Sequence, residues 1–406
     1  MQELQFINGG VTAPAGFKAA GIHCGIRRNK SKRDLALIVA DRVCAAAAVV
    51  TTNKVKAAPV YLTMKHLENG QARAILANSG NANACAPGGQ QAAEKCVNAA
   101  ATALGILPED IIVNSTGVIG QPLPVDTITS AIPALVSALS TDSAPAEEAI
   151  MTTDTFPKTV AVRCMIGGKP VIIGGIAKGS GMIHPNMATM LAFLTTDCAI
   201  SPALLQEALK TSADRTYNRI SVDGDTSTND MTAILASGTA GNAEITEKGA
   251  DYDAFLTALD AVNLDLAKKI ARDGEGATKL VTCRVSGAAL EETAVVLAKS
   301  VISSSLVKAA MFGADANCGR VLCAMGYSGA DFDTAKVDVA YSSEAGHIAV
   351  VKQGIGLQFD EELAKAVLSQ SDIVIEINLN DGAAAAEAYG CDLTYDYVRI
   401  NGDYRS

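Results

Sequence analysis

The segment KGSGMIHPNMATMLAFLTTD, residues 178–197, opens on a Gly-Ser-Gly stretch and passes through Pro185 to Ala188-Thr189. It then enters an apolar run with no intervening turn. MLAFLTTD (190–197) is short, apolar and rich in strand formers, the signature of a buried strand. Before it, KTVAVRCMIGGKPVIIGGIA (158–177) reads as a hairpin, two apolar arms around a Gly-Gly-Lys turn. After it, Ser201 reads as the cap of the helix PALLQEALKTSADRT, with Pro202 at the first helical position. A strand beginning at residue 190 therefore belongs inside a sheet.

The same alternation extends in both directions. ARAILAN (72–78) reads as a strand and QQAAEKCVNAAATALG (90–105) as a helix with an alanine face. A further helix is expected over 127–139. In the C-terminal half, strands are expected at MTAILAS (231–237), TKLVTCRV (278–285), KVDVAYS (336–342) and IVIEINLN (373–380). Helices are expected at 251–274, closed by Gly274, and at 289–304. No fixed-period repeat or long linker interrupts this order. The expected fold class is α/β, in the sense of a layered α+β architecture.

Composition narrows the function. The 406 residues are 49% apolar, which excludes a disordered chain. A net charge of −10 disfavours nucleic-acid and anionic-membrane partners, which need concentrated positive charge. No apolar run approaches the ~18–20 residues needed to cross a bilayer. MQELQFINGG lacks a cationic lead into an apolar stretch, so no secretory signal is expected and the cytoplasm is the expected compartment. The ten cysteines are scattered with no CxxC, and read as reduced, mostly buried thiols.

The familiar catalytic motifs are missing. His23, His66, His184 and His347 are isolated, with no HExxH, and neither a GxSxG elbow nor a GxxxxGK[ST] loop occurs. Chemistry is expected instead in polar, glycine-rich clusters: NSGNANAC (78–85), NSTGVIG (114–120), MTTDTFPK (151–158), the 178–197 segment, SVDGDTSTND (221–230) and DGEGATK (273–279). Each alone has the composition of an ordinary turn.

Thr189 has two readings on residue chemistry. It is a capping residue, or it is a nucleophile activated by becoming the first residue of a chain, so that its own α-amine serves as base. That amine has an ordinary pKa of about 7.7–8.0, suited to taking and returning a proton near neutrality. Exposing it requires cleavage between Ala188 and Thr189, which the same hydroxyl can begin by attacking the preceding carbonyl.

KGSGMIHPNMATMLAFLTTD resembles the signature of the ornithine acetyltransferases, also called glutamate N-acetyltransferases. NSGNANAC, NSTGVIG, MTTDTFPK, SVDGDTSTNDM, DGEGATK and the terminal RINGDYRS resemble family segments in the same order, from near residue 10 to the last residue. The resemblance implies the two-lobed fold shared with the DmpA-like enzymes, its lobes interleaved, and self-cleavage into an alpha chain (1–188) and a beta chain (189–406) that assemble as a heterotetramer of two alpha and two beta chains. It implies transfer of acetyl from N2-acetyl-L-ornithine to L-glutamate through an acetyl-Thr189 intermediate. Acetyl-CoA is a further donor in the bifunctional members, and no metal or prosthetic group is implied. Residue by residue, Thr189 matches the nucleophile, and Thr116 and Gly117 match the oxyanion-hole pair. Thr152 (with Thr153 as its neighbouring alternative), Lys178, Thr189, Glu275, Asn401 and Ser406 match substrate contacts. GADANCGR (313–320) departs from the family pattern, with Ala316 and Cys318 where Pro and Trp are usual.

Two other classes fit parts of the pattern. A self-cleaving aminopeptidase or amidase would pass the acyl group to water. A non-catalytic metabolite-binding protein would remain one chain and be indifferent to Thr189→Ala.

Overall fold

The computed structural model describes residues 4–184 and 190–403. Two compact units divide it. The first comprises Met1–Gly179, Pro185–Asn218 and Thr226–Leu266; the second comprises Ser180–His184, Arg219–Asp225 and Ala267–Ser406. The chain therefore passes repeatedly from one unit to the other, as the expected interleaving requires.

In the first unit the described residues form a nine-stranded mixed sheet. Its order runs Gln5–Ile7, Lys158–Ile166, Lys169–Lys178, Leu191–Thr196, Met231–Ala236, Leu35–Val50, Gln71–Asn78 and Ile111–Ser115, with Phe17–Ile22 also paired to Leu35–Val50. Both faces are covered. Leu35 and Leu37 pack in a cluster with Val97, Ile128 and Ile132, from the helices Gly89–Leu104 and Val125–Ser137. The alternate residues Ala36 and Ile38 pack in a second cluster with Ala149 and Ile150 of the helix Ala144–Ile150. A strand buried on both faces loses the polar half of its alternation, which is why these segments read as unbroken apolar runs.

Leu191–Thr196 lies inside the sheet, as expected, and all six of its residues are buried. It pairs antiparallel with the hairpin arm Lys169–Lys178, Lys178 opposite Leu191. On its other side it pairs parallel with Met231–Ala236, Met231 opposite Leu191. The hairpin turns at Gly167 and Gly168, both at positive φ. Pro202 opens the helix Pro202–Arg215, but Ser201 at its N-cap makes no side-chain capping bond.

The second unit holds a seven-stranded sheet, ordered Ile355–Gly356, Gly346–Lys352, Asp338–Ser343, Asp372–Asn378, Leu280–Ala288, Ala384–Cys391 and Ile220–Ser221. The helix Glu291–Ser303 buries Ala294, Leu297, Ala298, Val301 and Ile302 against it. Among the described residues no single helix is long and apolar enough to cross a membrane. Glu291–Ser303 and Ser305–Phe312 reach that length only as a pair bent by 60°, and both contribute to this buried core.

Candidate functional site

In the first unit, strand ends and their loops bring several expected site residues together. Asp154 is the hub. Its carboxylate accepts from the Thr152 backbone N–H at 2.8 Å, the Gly179 N–H at 2.7 Å and the Lys158 ammonium at 2.7 Å. Burial alone would raise this carboxyl, but the Lys178 and Lys158 ammoniums and the Gly179 N–H together hold it well below the usual carboxylate range. Asp154 thereby fixes the Thr152 loop and the end of the strand carrying Lys178. Lys178 is buried and donates to the Thr116 hydroxyl at 3.4 Å.

Thr116 and Gly117 lie just past the strand Ile111–Ser115. The Thr116 N–H is committed to the Asn78 carbonyl at 2.9 Å, so Thr116 has its hydroxyl to offer a substrate oxygen. Gly117 has φ +129°, and a Cβ there would lie 2.4 Å from the Gly80 backbone. Only glycine fits where these two loops approach. Ser115 Oγ donates to Asn78 Oδ1 at 2.6 Å, and Asn229 Nδ2 donates to the carbonyls of Ala82 and Ser115 at 2.6 and 2.8 Å. The 78–85, 114–120 and 221–230 clusters are thus sewn together here by buried asparagines.

Asp230 follows Asn229. Its carbonyl accepts from Thr51 N–H at 3.0 Å, and the next residue, Met231, donates to the Met190 carbonyl at 2.9 Å. Its side chain is buried, Oδ2 has no hydrogen-bond partner, and burial pushes its carboxyl well above the ordinary value despite bonds from Ser227. This buried carboxyl sits beside the start of the strand that follows Thr189.

Glu275 and Asn401 belong to the second unit. Asn401 Nδ2 donates to Glu275 Oε2 at 2.7 Å, and Glu275 is buried. A Cβ on Gly181 would lie 2.4 Å from the Glu275 carboxyl, so the glycine permits that approach. Glu275 N–H donates to the Ser180 carbonyl at 2.9 Å, and Ser180 Oγ to the Asp273 carbonyl at 2.6 Å. The helix Tyr395–Gly402, which carries Asn401, has no fully buried residue.

A model of the ArgJ family matches residues 18–406. The chain belongs to the ArgJ family. It is 54% identical over 406 residues to the arginine biosynthesis bifunctional protein ArgJ of Symbiobacterium thermophilum, covering 99% of this chain and 100% of that protein. It is 52% identical to ArgJ 1 of Clostridium acetobutylicum, over 98% of each. Among solved structures, the arginine biosynthesis bifunctional protein argJ of Bacillus halodurans matches at 49% identity and a TM-score of 0.50, covering 53% of this chain and 99% of that chain.

For this ArgJ-family chain, the expected nucleophile Thr189, the expected cleavage partner Ala188 and the terminal Ser406 lie outside the described residues. The first unit joins Thr116, Lys178 and Thr152 through Asp154, and Gly117 adjoins Thr116. The second joins Glu275 to Asn401. Sequence reasoning passed over Asp154, although it stands in the quoted MTTDTFPK, because its partners at 178 and 179 are distant in the chain. It also passed over Asp230. Ala316, one of the two departures from the family pattern, packs into the core of the second unit, with Cys318 against it. Asn317 between them caps the helix Cys318–Gly326 by accepting from Arg320 N–H at 3.1 Å. Among the described residues no group of His, Cys, Asp and Glu is placed to hold a metal ion.

Proposed function

We propose that this protein is an acetyltransferase of arginine biosynthesis that moves acetyl from N2-acetyl-L-ornithine to L-glutamate, with Thr189 as nucleophile. The observation that carries this is membership of the ArgJ family over nearly the whole chain. The Thr116–Lys178–Asp154 cluster beside the strand that follows Thr189 gives it a chemical setting.

The chain first cuts itself. Thr189 Oγ attacks the Ala188 carbonyl, the C–N bond breaks, and the freed α-amine keeps the proton that the hydroxyl gives up. Water then hydrolyses the ester, leaving residues 1–188 and 189–406. In each turnover the Thr189 hydroxyl attacks the acetyl carbonyl while its amine accepts the proton. The Thr116 hydroxyl and the Gly117 N–H receive the developing oxyanion, an interaction worth about 3–4 kcal/mol per donor. The amine proton passes to the departing ornithine nitrogen, and the glutamate amine then takes the acetyl group from Thr189.

Lys178 suits a substrate carboxylate and Glu275, oriented by Asn401, a substrate ammonium; Thr152 and Ser406 complete the contacts. The relatives are named bifunctional, and we take the second activity to be use of acetyl-CoA as donor. No metal or prosthetic group enters these steps. The ten thiols, six of them buried, suit a reducing compartment, and we place the enzyme in the cytoplasm as a heterotetramer.

Intact mass and N-terminal sequencing, followed by an acetyl-exchange assay, test the whole reading. Two fragments, the second beginning Thr-Met-Leu-Ala-Phe, together with exchange between acetylornithine and glutamate, are expected. An uncut chain that still exchanges acetyl would overturn the amine-as-base mechanism. An uncut chain without exchange would overturn the enzyme assignment.

A further inference from the structure

Just ahead of the Ala188–Thr189 bond, the chain is held by contacts made within the second unit. The two oxygens of Asp223 accept from consecutive backbone groups, Met182 N–H at 2.6 Å and Ile183 N–H at 2.8 Å. The Ile183 carbonyl accepts from Val222 N–H at 2.7 Å, and His184 Nδ1 lies 3.0 Å from Ser221 Oγ. The segment 180–184 is thus laced to 221–223 residue by residue. Asp223 Oδ2 also accepts from the Tyr397 hydroxyl at 3.3 Å.

Met182 shows what this lacing imposes. Its φ is +56°, a left-handed conformation that a non-glycine residue adopts at a cost. Its side chain is 43% exposed, so packing does not demand the conformation. The paired N–H bonds to one carboxylate do, because charge-assisted bonds are the stronger kind.

Self-cleavage needs a hydroxyl and the preceding carbonyl held in an attacking arrangement, and freedom in the flanking chain dilutes that arrangement. We propose that Asp223 is a positioning residue for self-cleavage, fixing the chain's approach to the scissile bond through the N–H groups of Met182 and Ile183. This rests on the self-cleaving reading above. Asp223 takes no part in bond making: the Thr189 oxygen still bonds to the Ala188 carbonyl carbon, the C–N bond breaks, and water completes the hydrolysis.

The test follows the single-chain precursor into fragments by intact mass, from the moment of synthesis, with folding checked by circular dichroism. Asp223→Asn presents an N–H to one of the two backbone donors and should slow cleavage about tenfold or more. Adding Met182→Gly, which adopts the left-handed conformation freely, should recover at least threefold of that loss. A loss arising from poor folding alone would not be recovered this way. Met182→Val leaves Asp223 intact but makes the conformation costlier, and should slow cleavage several-fold; it serves even if Asp223→Asn does not fold. Cleavage of Asp223→Asn or Met182→Val at the wild-type rate would overturn the proposal, and so would a double variant no faster than Asp223→Asn. A wild-type chain that never cleaves would instead refute the self-cleaving reading.

Discussion

The Asp154 carboxylate meets the Lys158 ammonium at 2.7 Å with both side chains wholly buried. Removing one partner of such a pair strands a charge in a low-dielectric interior. Lys158→Met and Asp154→Ala should each cost about 3–5 kcal/mol of stability, and the double substitution less than their sum. Denaturant unfolding of the two single variants and the double variant measures this. The pH dependence has a definite sign. Asp154 is held below its ordinary value, so its contribution is complete above about pH 4 and is lost only as the pH falls through the lower, folded-state value.

Thr116 and Gly117 should separate chemistry from fit. Thr116→Ala removes a hydroxyl that is free of any backbone duty, and kcat for acetyl exchange should fall about 10²–10³-fold with KM little changed. Gly117→Ala drives a Cβ to 2.4 Å from the Gly80 backbone and should lower the melting temperature as well as activity. Steady-state kinetics and thermal unfolding of the two variants distinguish these outcomes.

Lys299 gives an alkaline signature. Burial lowers its ammonium pKa from 10.5 to about 8. Between those values the unfolded chain binds a proton that the folded chain does not, so this residue makes stability rise with pH across that window. Thermal unfolding at pH 7 and pH 9.5 should show a smaller rise in Lys299→Met than in wild type.

Thiol labelling should be selective. Cys85 and Cys323 are exposed, whereas burial pushes Cys44, Cys96 and Cys198 up to about 12. Native protein treated briefly with iodoacetamide at pH 8 should carry label at Cys85 and Cys323 and little at those three. Mass spectrometry of the digested protein reads this, and labelling at Cys96 matching that at Cys85 would contradict it.

Much of the fold is readable along the chain. The hairpin appears as Lys158–Ile166 and Lys169–Lys178, and the apolar run after Thr189 as Leu191–Thr196, because both signals are local and unbroken. The strand Leu35–Val50 is harder to read. Its AAAAVV end is rich in alanine, a helix former, yet it is extended because Ala45–Val50 pairs with Met231–Ala236. The C-terminal helix Tyr395–Gly402 buries none of its residues, so no core-facing pattern announces it.

The site divides in the same way. The order of the polar clusters and their resemblance to one family pick out Thr116, Gly117, Lys178 and Glu275 with no structure in hand, since side-chain type and spacing survive in one dimension. Which carboxylate organises them was decided only in three dimensions. Asp154 reaches Gly179 and Glu275 reaches Asn401 across 25 and 126 residues of chain. Turn-like stretches such as TTD and VDGD have the same composition whether their acid faces water or a buried amide. Hydrogen bonding and desolvation depend on what lies beside a group in space, and that neighbour is supplied by strand pairing between distant segments.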